Sequence, residues 1–185
     1  MHEIHDMYSD ISSTGYWLDN RGKDEFDERL SRALALFFKH KTVVDMGCGR
    51  GRYVKTFVDH GIQCRGYDGN PLTSELEFCE VLDLSNPVEL GQFDWVLSLE
   101  VGEHIPREYE SVFIDNLHKH NTKGIILSWA KPGQPGKGHF NCRPRKYIKN
   151  KFAGMGYEND LGLERLLRGF AYLGWFKRNI MVFTR

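Results

Sequence analysis

Thr42-Val43-Val44-Asp45-Met46-Gly47-Cys48-Gly49-Arg50-Gly51-Arg52-Tyr53 decides the fold. A β-branched run reads as a buried strand ending at an acidic residue. The Gly-x-Gly-x-Gly turn that follows brings bare main chain up to a ligand, because a Cβ there would strike the ligand or forbid the turn. Tyr53, Phe57 and Val58 then mark a helix that ends near Gly61. A dinucleotide-binding turn wants its third glycine three residues after the second; that position is Arg52, which argues against a nicotinamide cofactor.

The same alternation of strand and helix continues outward. Phe26, Leu30, Leu34, Phe37 and Phe38 give an amphipathic helix over Asp24–Lys39, ahead of the first strand at 42–46. Strands follow at Gln63–Tyr67, Glu80–Leu82, Phe93–Leu99 and Gly124–Trp129, a short one at Tyr157 and a last one at Ile180–Thr184. Pro106 opens a helix carrying Tyr109, Val112, Phe113 and Leu117, and another runs from Arg145 to Ala153. Leu163, Leu166, Leu167, Phe170 and Leu173 form a further apolar stripe. Helices between strands predict an α/β fold with a mostly parallel, doubly wound sheet and helices on both faces.

In such sheets ligands bind beyond the carboxyl ends of the strands. Four of those ends carry polar groups: Asp45 with Gly47, Cys48, Gly49 and Gly51; Asp68-Gly69-Asn70; Asp83-Leu84; and Glu100 in Leu99-Glu100-Val101-Gly102-Glu103-His104-Ile105-Pro106. Taken alone, Asp68 and Asp83 also suit turns or caps. In register at successive strand ends, the four point to one ligand.

Asp45-x-Gly47-x-Gly49-x-Gly51 resembles the first motif of class I methyltransferases that use S-adenosylmethionine. The Glu100-x-x-Glu103-His104 pattern is similar to the post-strand motif of the ubiquinone-biosynthesis type of small-molecule methyltransferase. The resemblance covers nearly the whole chain. It implies a Rossmann-like, seven-stranded sheet whose last strand is antiparallel, and S-adenosylmethionine as cofactor with S-adenosylhomocysteine as product. It further implies that the glycine turn meets the methionine carboxylate, Asp68 the ribose hydroxyls and Asp83 the adenine amino group. Residues 1–23 are expected to form a lid in which Tyr16 or Trp17 gives the sulfonium an aromatic face. The helix at 161–173 sits between the last two strands and is expected to cover the acceptor pocket.

Direct attack suffices for an amine or carboxylate acceptor, whereas a hydroxyl must lose its proton. His104, after the fourth strand, and His139, in the glycine- and proline-rich loop Lys131–Asn141, are the candidate catalytic residues. His118 and His120 make a poor metal site without a cysteine pair, and no metal is expected. With 185 residues, 25 basic against 25 acidic side chains and no apolar run long enough to span a bilayer, the chain reads as a single cytoplasmic domain. Four cysteines without a regular framework read as reduced thiols. The residues from Asn116 to Tyr157 are rich in Lys and Arg, which suits an anionic small-molecule acceptor. An RNA or protein acceptor and a non-catalytic S-adenosylmethionine-binding protein are the alternatives.

Overall fold

The computed structural model describes residues 10–19 and 25–185. Its elements in chain order are α1 (Glu28–Phe38), β1 (Thr42–Met46), α2 (Arg52–Asp59), β2 (Gln63–Asp68), β3 (Cys79–Val81), β4 (Phe93–Leu99), α3 (Glu110–Lys119) and β5 (Asn121–Ser128). There follow α4 (Arg145–Gly154), β6 (Glu158–Asn159), α5 (Leu161–Phe170), α6 (Phe176–Asn179) and β7 (Met181–Thr184). One sheet contains all seven strands in the order β3-β2-β1-β4-β5-β7-β6. The first five strands run parallel, and β7 lies antiparallel between β5 and β6. This is the Rossmann-like architecture expected from the sequence.

Period-2 alternation places successive side chains on opposite faces, so a strand covered on both sides becomes a continuous apolar run. Val43, Trp95, Leu97 and Ile126 join Leu34, Phe38 and Phe57 in one core. Val44, Val96, Ile125 and Leu127 join Phe113, Leu117 and Phe152 in the other. Strand order reverses beside β1: β1 pairs with β2 on one side and β4 on the other. A crevice therefore opens at their carboxyl ends.

The predicted first helix begins later than expected. Asp27 is its cap, with Oδ1 accepting from the Leu30 N–H at 2.9 Å, and the helix proper starts at Glu28; Asp24 lies outside the described residues. Oδ2 of the same fully buried carboxylate accepts the Tyr172 and Leu173 N–H groups at 2.7 and 2.9 Å. This clamp ties the chain just after α5 to the start of α1. Leu163 and Leu167 of α5 pack into the α1 core, and no residue from 161 to 173 lines the ligand crevice. Pro106 precedes a short 3-10 turn at Arg107–Tyr109, and the α-helix starts only at Glu110. Among the described residues, no helix is long and apolar enough to cross a membrane.

Candidate active site

At the strand ends lies a cavity of about 860 Å³, within the range of small-molecule and cofactor sites. All four polar strand ends reach it: Asp45, Gly47, Cys48 and Gly49; Asp68 and Gly69; Asp83 and Leu84; and Glu100. Trp17, His104 and His139 also line it. Two expected residues do not. Gly51 caps α2 with φ 65°, and a Cβ there would meet Cys79 Sγ at 3.0 Å; its glycine serves the turn. Asn70 is buried, its Oδ1 capping the Leu72 N–H at 2.8 Å.

The glycine turn and Asp68 form one unit. Asp68 Oδ2 accepts the Gly49 N–H at 2.9 Å, and Oδ1 accepts the Asn70 N–H at 2.8 Å. A carboxylate has about four acceptor positions, so two remain for a vicinal diol. Burial pushes Asp68 above the usual carboxylate range against those two hydrogen bonds. Burial likewise raises Asp45, reinforced by Cys79 and Asp68. Gly49 has φ 54°, and a Cβ there would meet nothing within 4 Å. The turn thus offers uncovered main chain beside a carboxylate, which fits the amino-acid and ribose parts of S-adenosylmethionine.

The segment before α1 lines part of the cavity. Ser12 Oγ accepts the Thr14 and Tyr16 N–H groups, and Thr14 Oγ1 donates to Asp83 Oδ2 at 2.9 Å. Asp83 Oδ1 accepts the Ser85 N–H at 2.9 Å. The Trp17 ring meets His104 edge-on at 6.0 Å and lies 5.9 Å from Lys137 Nζ. Tyr16 packs on Gly69, where any Cβ would overlap its ring.

His104 and His139 face each other, with ring centroids 5.1 Å apart. His104 Nδ1 lies 3.1 Å from the Gly138 carbonyl and His139 Nδ1 lies 3.2 Å from the Gln134 carbonyl. A carbonyl only accepts, so each Nδ1 carries the proton and each Nε2 keeps a lone pair when the ring is neutral. Burial, with His139 alongside, pushes His104 down to about 4. Glu100 has the left-handed φ of 53° and donates its N–H to Ser128 Oγ at 2.8 Å. Glu103 is fully buried, and burial with the Glu100 charge pushes its carboxyl well up.

Glu103 has no expected role from the sequence; its spacing of three from Glu100, beside a histidine, is the signal that marks it. Gln134, Trp175 and Phe176, not expected from the sequence, also line the cavity and sit in segments without a local code. The histidines set aside are structural. His120 accepts the Leu90 N–H through Nε2 at 3.0 Å with Nδ1 on the Asn116 carbonyl, and His118 meets Tyr157 and Arg185. The basic stretch is less positive than it reads, because Lys119, Lys123, Lys137, Arg143 and Lys149 each pair with a carboxylate.

Known proteins share this fold. A probable chloroplastic tocopherol O-methyltransferase of Oryza sativa subsp. japonica is 34% identical over 112 residues, covering 50% of this chain and 30% of that protein. The chain thus spans about a third of that relative's length. Magnesium protoporphyrin IX methyltransferase of Synechocystis PCC 6803, solved with S-adenosylhomocysteine, superposes with a TM-score of 0.65 at 17% identity, over 89% of this chain and 90% of that one. CalS10, an amino pentose methyltransferase of Micromonospora echinaspora solved with S-adenosylmethionine, does so with a TM-score of 0.66 at 15% identity, over 89% and 94%. A family described as a methyltransferase domain matches residues 17–161. With that match covering most of its length, the chain belongs to the methyltransferase-domain family, the class I, S-adenosylmethionine-dependent enzymes whose glycine turn it carries.

Proposed function

We propose that this protein transfers a methyl group from S-adenosylmethionine to an oxygen or nitrogen of a small-molecule acceptor. The observation that carries this reading is the convergence of the glycine turn, Asp68, Asp83 and Glu100 on one cavity that also holds two histidines. When bound, the cofactor supplies an electrophilic methyl on a cationic sulfur. The main chain at Gly47–Gly49 and the Asp68 carboxylate hold its two polar ends, and Asp83 with Leu84 frames the base. The Thr14–Trp17 segment excludes water and fixes the approach of the acceptor. His104 and His139 stand at the acceptor end, each offering an Nε2 lone pair. The small-molecule substrates for which the rice, Synechocystis and Micromonospora methyltransferases are named support a small-molecule acceptor. Neutralisation of much of the basic stretch supports it over RNA. Four free cysteines support a reducing, cytosolic setting.

Isothermal titration with S-adenosylhomocysteine tests the reading. Binding is expected, with NAD giving no signal; well-folded protein that binds neither compound overturns it. Once an acceptor is in hand, His104→Ala should lower turnover about a hundredfold while the product nucleoside still binds.

A further inference from the structure

Behind the cofactor crevice, the strand-end loop after β4 buries a carboxyl group with no cation paired to it. Glu103 is 0% exposed, and neither carboxylate oxygen has a hydrogen-bond partner. The main-chain N–H groups of Glu103 and Ala130 and the Glu100 carboxyl lie beside it at the edge of hydrogen-bond reach. Glu100 stands beside it with Oε1 buried and also unpartnered. Among the described residues no Lys or Arg forms an ion pair with either. Two adjacent carboxylates with unsatisfied oxygens cost several kcal/mol unless a proton or a cation offsets them.

The surroundings are built for a cation. One ligand atom from each of Glu103, His104 and His139 lies within 4.8 Å of the others, close to the span that a metal with bonds of about 2.1 Å bridges. Both imidazoles direct their Nδ1 protons to main-chain carbonyls, the arrangement that fixes a ligating ring and leaves Nε2 for the metal. Gln134 supports two members at once: its carbonyl accepts from His139 and its amide donates to Glu100 Oε2 at 3.1 Å. Asn179 of α6 in turn donates to Gln134 Oε1 at 2.7 Å. The loop itself is pinned, with Asn141 N–H on the Glu103 carbonyl at 2.9 Å and His104 N–H on the Val101 carbonyl at 2.9 Å.

We infer that Glu103, His104 and His139 bind one divalent first-row transition-metal ion, with Glu100 beside Glu103 as a further carboxylate for it. Two carboxylates and two imidazoles without thiolate suit Mn²⁺, Fe²⁺ or Zn²⁺. Two negative ligands balance its charge, so both glutamates are held ionised. The consequence for catalysis rests on the methyl-transfer reading. His104, His139 and Glu100 also line the cavity, so an open coordination position would take an acceptor oxygen. The acceptor is then a hydroxyl compound whose O–H proton passes to solvent water on coordination. Its oxygen forms the new bond to the methyl carbon as the carbon–sulfur bond breaks and the electron pair stays on sulfur.

The test uses the full chain and Mn²⁺ alone, followed by loss of the free-ion electron paramagnetic resonance signal. One equivalent should bind, and added Zn²⁺ should displace it, as the order of divalent affinities requires. Glu103→Gln, which keeps the side chain's shape, and His139→Ala should each weaken binding at least about tenfold. Glu89→Gln, at an exposed carboxylate, should not. Circular dichroism and the unfolding midpoint establish that each variant is folded. Calorimetry with S-adenosylhomocysteine separates the two readings: Glu103→Gln should keep nucleoside affinity within about twofold, since Glu103 does not line the cavity. Wild-type protein that takes up neither ion at millimolar concentration overturns the inference, as does a folded Glu103→Gln with unchanged Mn²⁺ affinity. Nucleoside binding in the same sample would leave the methyltransferase reading standing.

Discussion

Gly102 shows how a single atom sets the geometry of this site. Its φ is not in the left-handed region, so the backbone itself would accept another residue. The obstacle is Trp129, whose ring atoms would lie 2.3 Å from an added Cβ. Trp129 cannot retreat, because it is buried and its Nε1 donates to the Asn141 carbonyl at 2.7 Å. Gly102→Ala must therefore displace the loop that carries Glu100, Glu103 and His104. It is expected to cost about 1–3 kcal/mol of stability and to weaken both S-adenosylhomocysteine and Mn²⁺ binding. Gly169→Ala is the matched control: it lies within α5, its Cβ would meet nothing within 4 Å, and it should be neutral or stabilising by up to about 1 kcal/mol. Urea unfolding of the two variants checks the contrast, and equal stabilities would show that Trp129 does not confine the loop.

At the scale of elements, the residue that starts α3 ties the strand-end loops to the helical layer. Glu110 Oε2 accepts from Asn141 Nδ2 at 2.9 Å and from Arg143 Nε at 2.6 Å, and Oε1 accepts from Tyr147 Oη at 2.5 Å. Burial alone would raise this carboxyl, but the hydrogen bonds from Tyr147, Asn141 and Arg143, with the guanidinium charge, outweigh it and hold it below the usual range. A depressed carboxylate contributes stability that is complete above its unfolded pKa and is lost as pH falls through the folded value. Glu110→Gln should therefore cost about 2 kcal/mol at neutral pH. The gap between wild type and variant should close as pH drops below about 4; a gap independent of pH would remove the charge from the account. This cluster was invisible in the sequence, because Glu110, Asn141, Arg143 and Tyr147 are brought together only by the β5–α4 connection. What was legible is local. β1 and β4 fell at the expected residues because a β-branched or apolar run buried on both faces leaves no other periodicity. The glycine turn and the acidic strand ends were legible because backbone geometry demands those residue types. Placement of α5 depended on the Asp27 clamp to residues 145 positions away, and no window of sequence carries that.

Taken as a whole, the molecule assembles its cavity from segments far apart in the chain: Thr14–Trp17, the ends of β1, β2 and β4, the loop with Gln134 and His139, and Trp175 with Phe176. A ligand seated there links pieces that the sheet alone leaves loosely connected. The Thr14–Trp17 segment is held by its own turn, the Thr14–Asp83 hydrogen bond and the packing of Tyr16 on Gly69 and Trp17 on His104. Local opening of such segments takes far less free energy than global unfolding. Two different responses to S-adenosylhomocysteine are then expected. At a concentration about a hundredfold above Kd, mass action stabilises the folded state by about 2.7 kcal/mol. For a chain of this size that raises the unfolding midpoint by about 5 to 10 °C. Hydrogen exchange should respond unevenly. Amides of residues 14–17 and 134–139 should gain protection at low ligand occupancy, before the slowest amides of β4 and β5 change, because only the former exchange by local opening. Protection confined to the strands, with 14–17 exchanging as fast as before, would mean that the segment ahead of α1 does not close over the nucleoside and that water is excluded by the Gln134–His139 loop alone.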